Sequence, residues 1–197
     1  MKALRSILLI VTAFIFLCAD NQVSTKYTLS QDYSVGIHGT SNLHEWDEKL
    51  GNVSGSGVIN WNNDGTFDLN ALAVKMEVRS IISSEGATMN NNTYKALKAD
   101  TYPNILFELV TPVKSISGGP RGQDITARVK LTIAGVTRIE ALTVSAMSTG
   151  RNNVIFEGSK TLMMTDYNIE PPVALFRTIK TGNEITVHFR GNFVIIP

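Results

Sequence analysis

The chain has 197 residues, with 18 basic against 17 acidic side chains, one cysteine and three histidines. A net charge near zero without a basic cluster argues against nucleic acid as a partner, and a single cysteine excludes an internal disulfide framework. The length suits one domain with a sizeable core.

Lys2 and Arg5 give a short basic start, and Ile7 to Leu17 follow with Thr12 as the one polar interruption. Those eleven residues fall short of the roughly 20 that a helix needs to span a bilayer. A basic start before a short apolar run is the layout of a secretory signal peptide. Cleavage is expected after Ala19, giving a signal peptide over 1–19, a domain over 20–197, and a periplasmic or secreted product. The alternative is acylation of Cys18, for which Leu17 is a large preceding residue. Removing Lys2 and Arg5 leaves 16 basic residues against 17 acidic ones.

The remaining chain reads as strands. Leu72, Val74, Met76 and Val78 alternate with Ala73, Lys75 and Glu77. Ile105, Phe107 and Leu109 do the same, and Ile125 to Ile133 sustain the alternation over nine residues. Period-two alternation marks a strand with one dry face and one wet face. Gly135 to Arg138 read as a turn, followed by a strand over Ile139–Ala146; others begin at Val154 and cover Ile185–Phe189. Asn62–Gly65, Gly118–Pro120, Gly150–Asn153 and Gly182-Asn183 supply turn residues that tolerate positive φ. The expected fold is all-β, and the meandering order favours an up-and-down barrel; periodicity is also compatible with a sandwich.

Two stretches stand apart. Ala87 to Ala99 lack the alternation, and positions 89, 93, 94 and 97 share one face of a helix; the segment stops before Tyr102-Pro103. Gly55 and Gly57 share a strand face with Val53, Ile59 and Trp61, which marks either a barrel corner or a weak edge strand.

No catalytic cluster emerges. His38 and His44 are six residues apart across a turn-rich stretch, and His188 is distant, which is poor spacing for a metal site. Asp166 and Glu170 flank a loop before Pro171-Pro172 rather than forming a carboxylate pair for glycoside chemistry. There is no G-x-S-x-G elbow. An enzyme on this fold would require His38, His44 and His188 to meet inside it. The reading is therefore not an enzyme, with no cofactor and no metal.

Four segments together resemble the YceI-like family of exported lipid-binding proteins. They are Gly39–Trp46; Met89–Lys98 leading into Tyr102–Phe107; Leu131–Thr137; and Met164–Tyr167 with Pro171-Pro172 and Ile179–Ile185. The resemblance implies an extended eight-stranded antiparallel lipocalin-like barrel with one short helix beside it. It also implies an apolar tunnel for a polyisoprenoid or another long-chain amphiphilic lipid, with a homodimer left open. Tunnel candidates are the apolar residues in the inward phase: Leu72, Val74, Met76, Phe107, Val129, Leu131, Phe156, Val187 and Phe189. Trp46, Met89, Tyr94 and Leu97 are candidates for a mouth, and His44 for a head-group contact. The competing expectation is a structural or interaction module whose barrel is packed dry by these same side chains.

Overall fold

The computed structural model describes residues 24–174 and 178–196. The signal-peptide reading of 1–19 and the question of Cys18 fall outside the described residues.

Among the described residues, twelve strands and one α-helix follow in order. They are β1 (Thr25–Ser41), β2 (Glu45–Leu50), β3 (Val53–Trp61), β4 (Thr66–Glu77), β5 (Ile81–Ser83), α1 (Ala87–Ala96), β6 (Asn104–Leu109), β7 (Val113–Ser117), β8 (Gln123–Ile133), β9 (Val136–Ser148), β10 (Asn153–Met163), β11 (Val173–Ala174) and β12 (Ile179–Ile195). Eight of them pair antiparallel in the order β12-β10-β9-β8-β6-β4-β3-β1, and β1 returns to pair with β12. The sheet is thus a closed eight-stranded barrel, in which every strand is hydrogen-bonded to a neighbour on each side over at least part of its length. β2 and β5 continue the wall on one side, where β2 pairs with the second half of β1.

Alternation sets which side chains face in. Leu72, Val74 and Met76 of β4 stand opposite Gly57, Gly55 and Val53 of β3. β3 is hydrogen-bonded on both sides, to β1 and to β4, so the edge-strand reading of its glycines does not hold. The β8–β9 turn is tighter than the sequence indicated. It consists of Ala134 and Gly135, both at positive φ (48° and 81°), with Ile133 opposite Val136. Such a two-residue turn matches the twist of the flanking strands, so Val136 to Arg138 belong to β9.

Gly182-Asn183, expected as a turn, lies inside β12. There Asn183 accepts a bond from the Thr165 amide (3.0 Å) and donates to the Thr165 hydroxyl (2.9 Å). Its polarity pins the neighbouring single-turn helix, Met164–Tyr167, instead of reversing the chain. The α-helix is shorter than Ala87–Ala99. Lys98 takes a left-handed φ of 54°, and the Ala99 amide reaches back to the Tyr94 carbonyl (2.9 Å), which closes the helix with an αL turn.

Two buried clusters divide the interior. The first, around Tyr27, Ile59, Phe67, Ile116, Ala146 and Val154, fills one end. Trp61 packs on Phe67 there, with ring centroids 5.0 Å apart, and its Nε1 donates to the Tyr27 hydroxyl (2.9 Å). The second, around Trp46, Ile81, Ile105, Leu162 and Tyr167, forms a shell at the other end.

Truncation should therefore be costly at the packed end and milder in the shell. Phe67→Ala is expected to lose about 3–5 kcal/mol of unfolding free energy. Met76→Ala should lose less than half of that, because its side chain is only partly buried in the shell and borders the cavity. Urea titration of the two variants measures both values.

Candidate ligand cavity

A cavity of about 240 Å³ occupies the second half of the barrel. Its wall carries Leu72, Val74 and Met76 of β4, Phe107 of β6, Val129 and Leu131 of β8, Phe156 of β10, and Val187 and Phe189 of β12. These are the tunnel candidates, and alternation brings all of them to one surface. Tyr27, Ile59, Phe67 and Ile116 take no part in that wall. The space is therefore blind at the packed end and does not run the length of the barrel. The dry-core alternative describes one half of the interior.

Aromatic rings make the floor. Phe156 and Phe193 meet edge to face, 5.9 Å apart at 68°, the arrangement their quadrupoles favour. Glycines opposite make room for the rings. A Cβ at Gly55 would stand 3.2 Å from the Phe193 ring, and one at Gly158 would stand 3.1 Å from the Phe189 ring. The close approach is what the β3 glycine pattern encodes.

α1 covers the other side. Met89 and Thr93 line the cavity from the helix, Leu97 lines it from the C-cap position just after the helix, and Trp46 lines it from β2. The Trp46 indole lies where a Gly39 side chain would otherwise be, and its Nε1 donates to the Thr40 carbonyl (3.1 Å). Tyr94 is not part of the wall. Its hydroxyl lies 3.0 Å from the Arg79 carbonyl and 2.8 Å from that of Ile81, and the Arg79 guanidinium sits 5.5 Å from its ring centre. Tyr94 thus ties the helix to the barrel. His44 also lies outside the wall, in the exposed β1–β2 hairpin, with Nδ1 2.7 Å from the Glu45 carbonyl and 3.4 Å from the Glu85 carboxylate.

The histidines do not meet inside. His38 alternates with the wall residue Ile37, faces outward, and its Nδ1 lies 3.0 Å from Asp47 Oδ1. His188 sits between the wall residues Val187 and Phe189 and also points outward. Among the described residues, no group of three or more histidine, cysteine, aspartate or glutamate side chains could hold a metal ion.

Polar groups that sequence reasoning passed over do reach the wall. Glu48 lies between Trp46 and Leu50 in the inward phase of β2 and is only 2 % exposed. Its Oε1 accepts a 2.6 Å bond from the Thr93 hydroxyl of α1. Burial pushes its carboxyl above the ordinary value, the Thr93 bond pulls it back in part, and the Glu85 charge adds to the rise. The alternation Trp46-x-Glu48-x-Leu50 was the available signal.

Glu140 and Lys160 mark a second polar spot. β9 and β10 pair only between Val144–Ser148 and Val154–Gly158. Beyond that the strands part, and Lys160 spans the gap to Glu140 Oε2 (2.9 Å) and the Ala141 carbonyl (3.1 Å). Tyr167 closes the opening, 1 % exposed. Burial and then the Glu140 charge push its phenol up to about 12.

A closed antiparallel barrel that is packed at one end and hollow and apolar at the other is a binding architecture of the lipocalin-like kind. The chain belongs to the YceI-like family, whose domain profile matches residues 27–193. Among solved structures it is similar to a polyisoprenoid-binding domain from Saccharophagus degradans implicated in plant cell wall breakdown. That likeness has 12% identity and a TM-score of 0.67, and covers 86% of this chain and 98% of that one. It is also similar to Burkholderia cenocepacia BcnA, at 16% identity and a TM-score of 0.56 over 81% and 95% of the two chains. The Campylobacter jejuni YCEI protein follows, at 16% and 0.54 over 76% and 84%. No curated protein matches the sequence.

The buried carboxyl has a pH signature. A raised folded-state pKa means Glu48 contributes nothing below its unfolded value of 4.5; it weakens the fold as pH rises through the folded value. Glu48→Gln keeps the acceptor for Thr93 and removes the charge. In lipid-free protein it is expected to melt above wild type at pH 8, with the difference vanishing by pH 4. Thermal melts at both pH values check this, and an equal difference at both would contradict it.

Proposed function

We propose that this chain is an exported binding protein that carries or sequesters a long-chain amphiphilic lipid in the hollow half of its barrel. The observation that carries the reading is the blind apolar cavity enclosed by eight strands and roofed by α1. Its wall offers hydrophobic contact almost everywhere and converging polar groups almost nowhere, which suits binding rather than catalysis. Each methylene buried there contributes ~0.8 kcal/mol. A dozen carbons gain on the order of 10 kcal/mol gross, several of which are lost in ordering the ligand. The polyisoprenoid-binding description of the Saccharophagus degradans domain supports an isoprenoid or a similar chain as cargo.

Export belongs to the same reading. Lys2, Arg5 and the apolar run Ile7–Leu17 would direct the chain out of the cytoplasm, into a periplasmic or external space. A long apolar chain cannot cross such an aqueous space unaided.

Native mass spectrometry of the protein purified from its own host tests both parts. The expected species begins at Asp20 and carries a lipid adduct. A lipid-free species that also takes up no fluorescent isoprenoid or fatty acid would end the carrier reading. Retention of residues 1–19 would end the export reading, and a lipid covalently attached at Cys18 would replace soluble release with anchoring.

A further inference from the structure

The charged side chains that reach the cavity wall are Glu48, Glu140, Lys160 and Arg190. Three of them have opposite charges beside them. Glu140 pairs with Lys160 at 2.9 Å and Arg190 pairs with Asp32 at 3.0 Å. Glu48 instead has the neutral Thr93 hydroxyl on Oε1, and the nearby charge felt by its carboxyl is the like charge of Glu85. It is 2 % exposed and faces the cavity between Trp46 and Leu50. A carboxyl in such a place costs free energy unless its remaining hydrogen-bonding capacity is met.

From this juxtaposition we infer that Glu48 and Thr93 form the head-group site of the cavity. They select an amphiphile whose polar end donates a hydrogen bond and carries no negative charge, such as a primary alcohol or an amide. The inference rests on the carrier reading and narrows it.

The chemistry follows from what each group offers. Protonated or ionised, Glu48 retains lone pairs that accept from an alcohol O–H or an amide N–H. Thr93 Oγ1 donates to Glu48 and keeps its own lone pairs for the ligand. With Glu48 ionised, a carboxylate or phosphate in the same place would set an anion against Glu48 and Glu85 in a poorly solvated site, where like charges repel strongly. The helix-covered side of the cavity thus takes the polar end, and the Phe156–Phe193 floor takes the tail.

The test uses lipid-free mature protein at pH 8 with dodecanol, dodecanamide and dodecanoate, each displacing the fluorescent probe 1-N-phenylnaphthylamine. Wild type is expected to bind the alcohol and the amide at least tenfold more tightly than the carboxylate. The apolar wall alone disfavours an anion, so the decisive comparison is with Glu48→Gln. That variant should bind dodecanoate at least fivefold closer to dodecanol than wild type does. If Glu48 only anchored α1, the substitution would shift all three affinities by one common factor, and that result would overturn the inference. Equal binding of the three by wild type would overturn it as well, while leaving the carrier reading standing. Failure of all three and of the probe to bind would remove the carrier reading and this inference with it.

Discussion

The ladder between the first and last barrel strands, from Tyr27–Ile195 to Ser41–Thr181, is the constraint on which the rest depends. Without it the inward faces of eight strands would be an open apolar sheet with two unpaired edges, prone to association. With it the same residues enclose a space. The ladder shifts register between Leu29 and Tyr33. Asp32 holds that bulge to β12 through Arg190 (3.0 Å) and Asn192 (3.3 Å). Tyr33 spans to the other side, donating to the Gly51 carbonyl (2.8 Å) and accepting from the Val53 amide (3.2 Å). Closure and the local break in the wall are therefore secured by side chains of the same few residues.

Closure alone does not make a cavity, because barrels of this size are filled by side chains as readily as they hold a slender ligand. Side-chain size decides. At one end Tyr27, Trp61 and Phe67 occupy the interior. Past the rings of Phe156, Phe189 and Phe193, the inward positions of the barrel strands carry mainly aliphatic residues of middling length, and a space remains among them. Protein interiors are normally close-packed, and an apolar space forgoes the contacts its lining atoms would otherwise make. A bound alkyl chain restores those contacts, so binding and packing are the same event in this half of the molecule.

Much of the fold was legible because period-two alternation survives along β4, β8 and β12, and because the helix at α1 breaks it. The misjudged points have local causes. Val136 reads as part of a turn next to Gly135, yet the reversal is completed by Ala134 and Gly135. Gly182-Asn183 carries turn chemistry that is spent on Thr165. On the cavity wall, every candidate drawn from strand phase lies where alternation puts it. Of the helix candidates, Met89 and Leu97 face the cavity, as does Thr93, while Tyr94 is rotated one position onward and meets Arg79 and Ile81. His44 sits in a hairpin, where no periodicity fixes a side chain's direction. Glu48 went unread because an acidic residue beside Asp47 and Lys49 resembles solvated surface; only its phase with Trp46 and Leu50 shows that it points inward.

The central claim is that the hollow half holds an alkyl chain, and a chain-length series tests it most directly. Dissociation constants for straight-chain alcohols from octanol to hexadecanol, measured on lipid-free protein, should fall roughly fourfold with each added methylene, the equivalent of ~0.8 kcal/mol. The fall should level off once the chain outgrows the cavity. Affinities that do not change with chain length, or the lack of saturable binding at any length, would contradict the account.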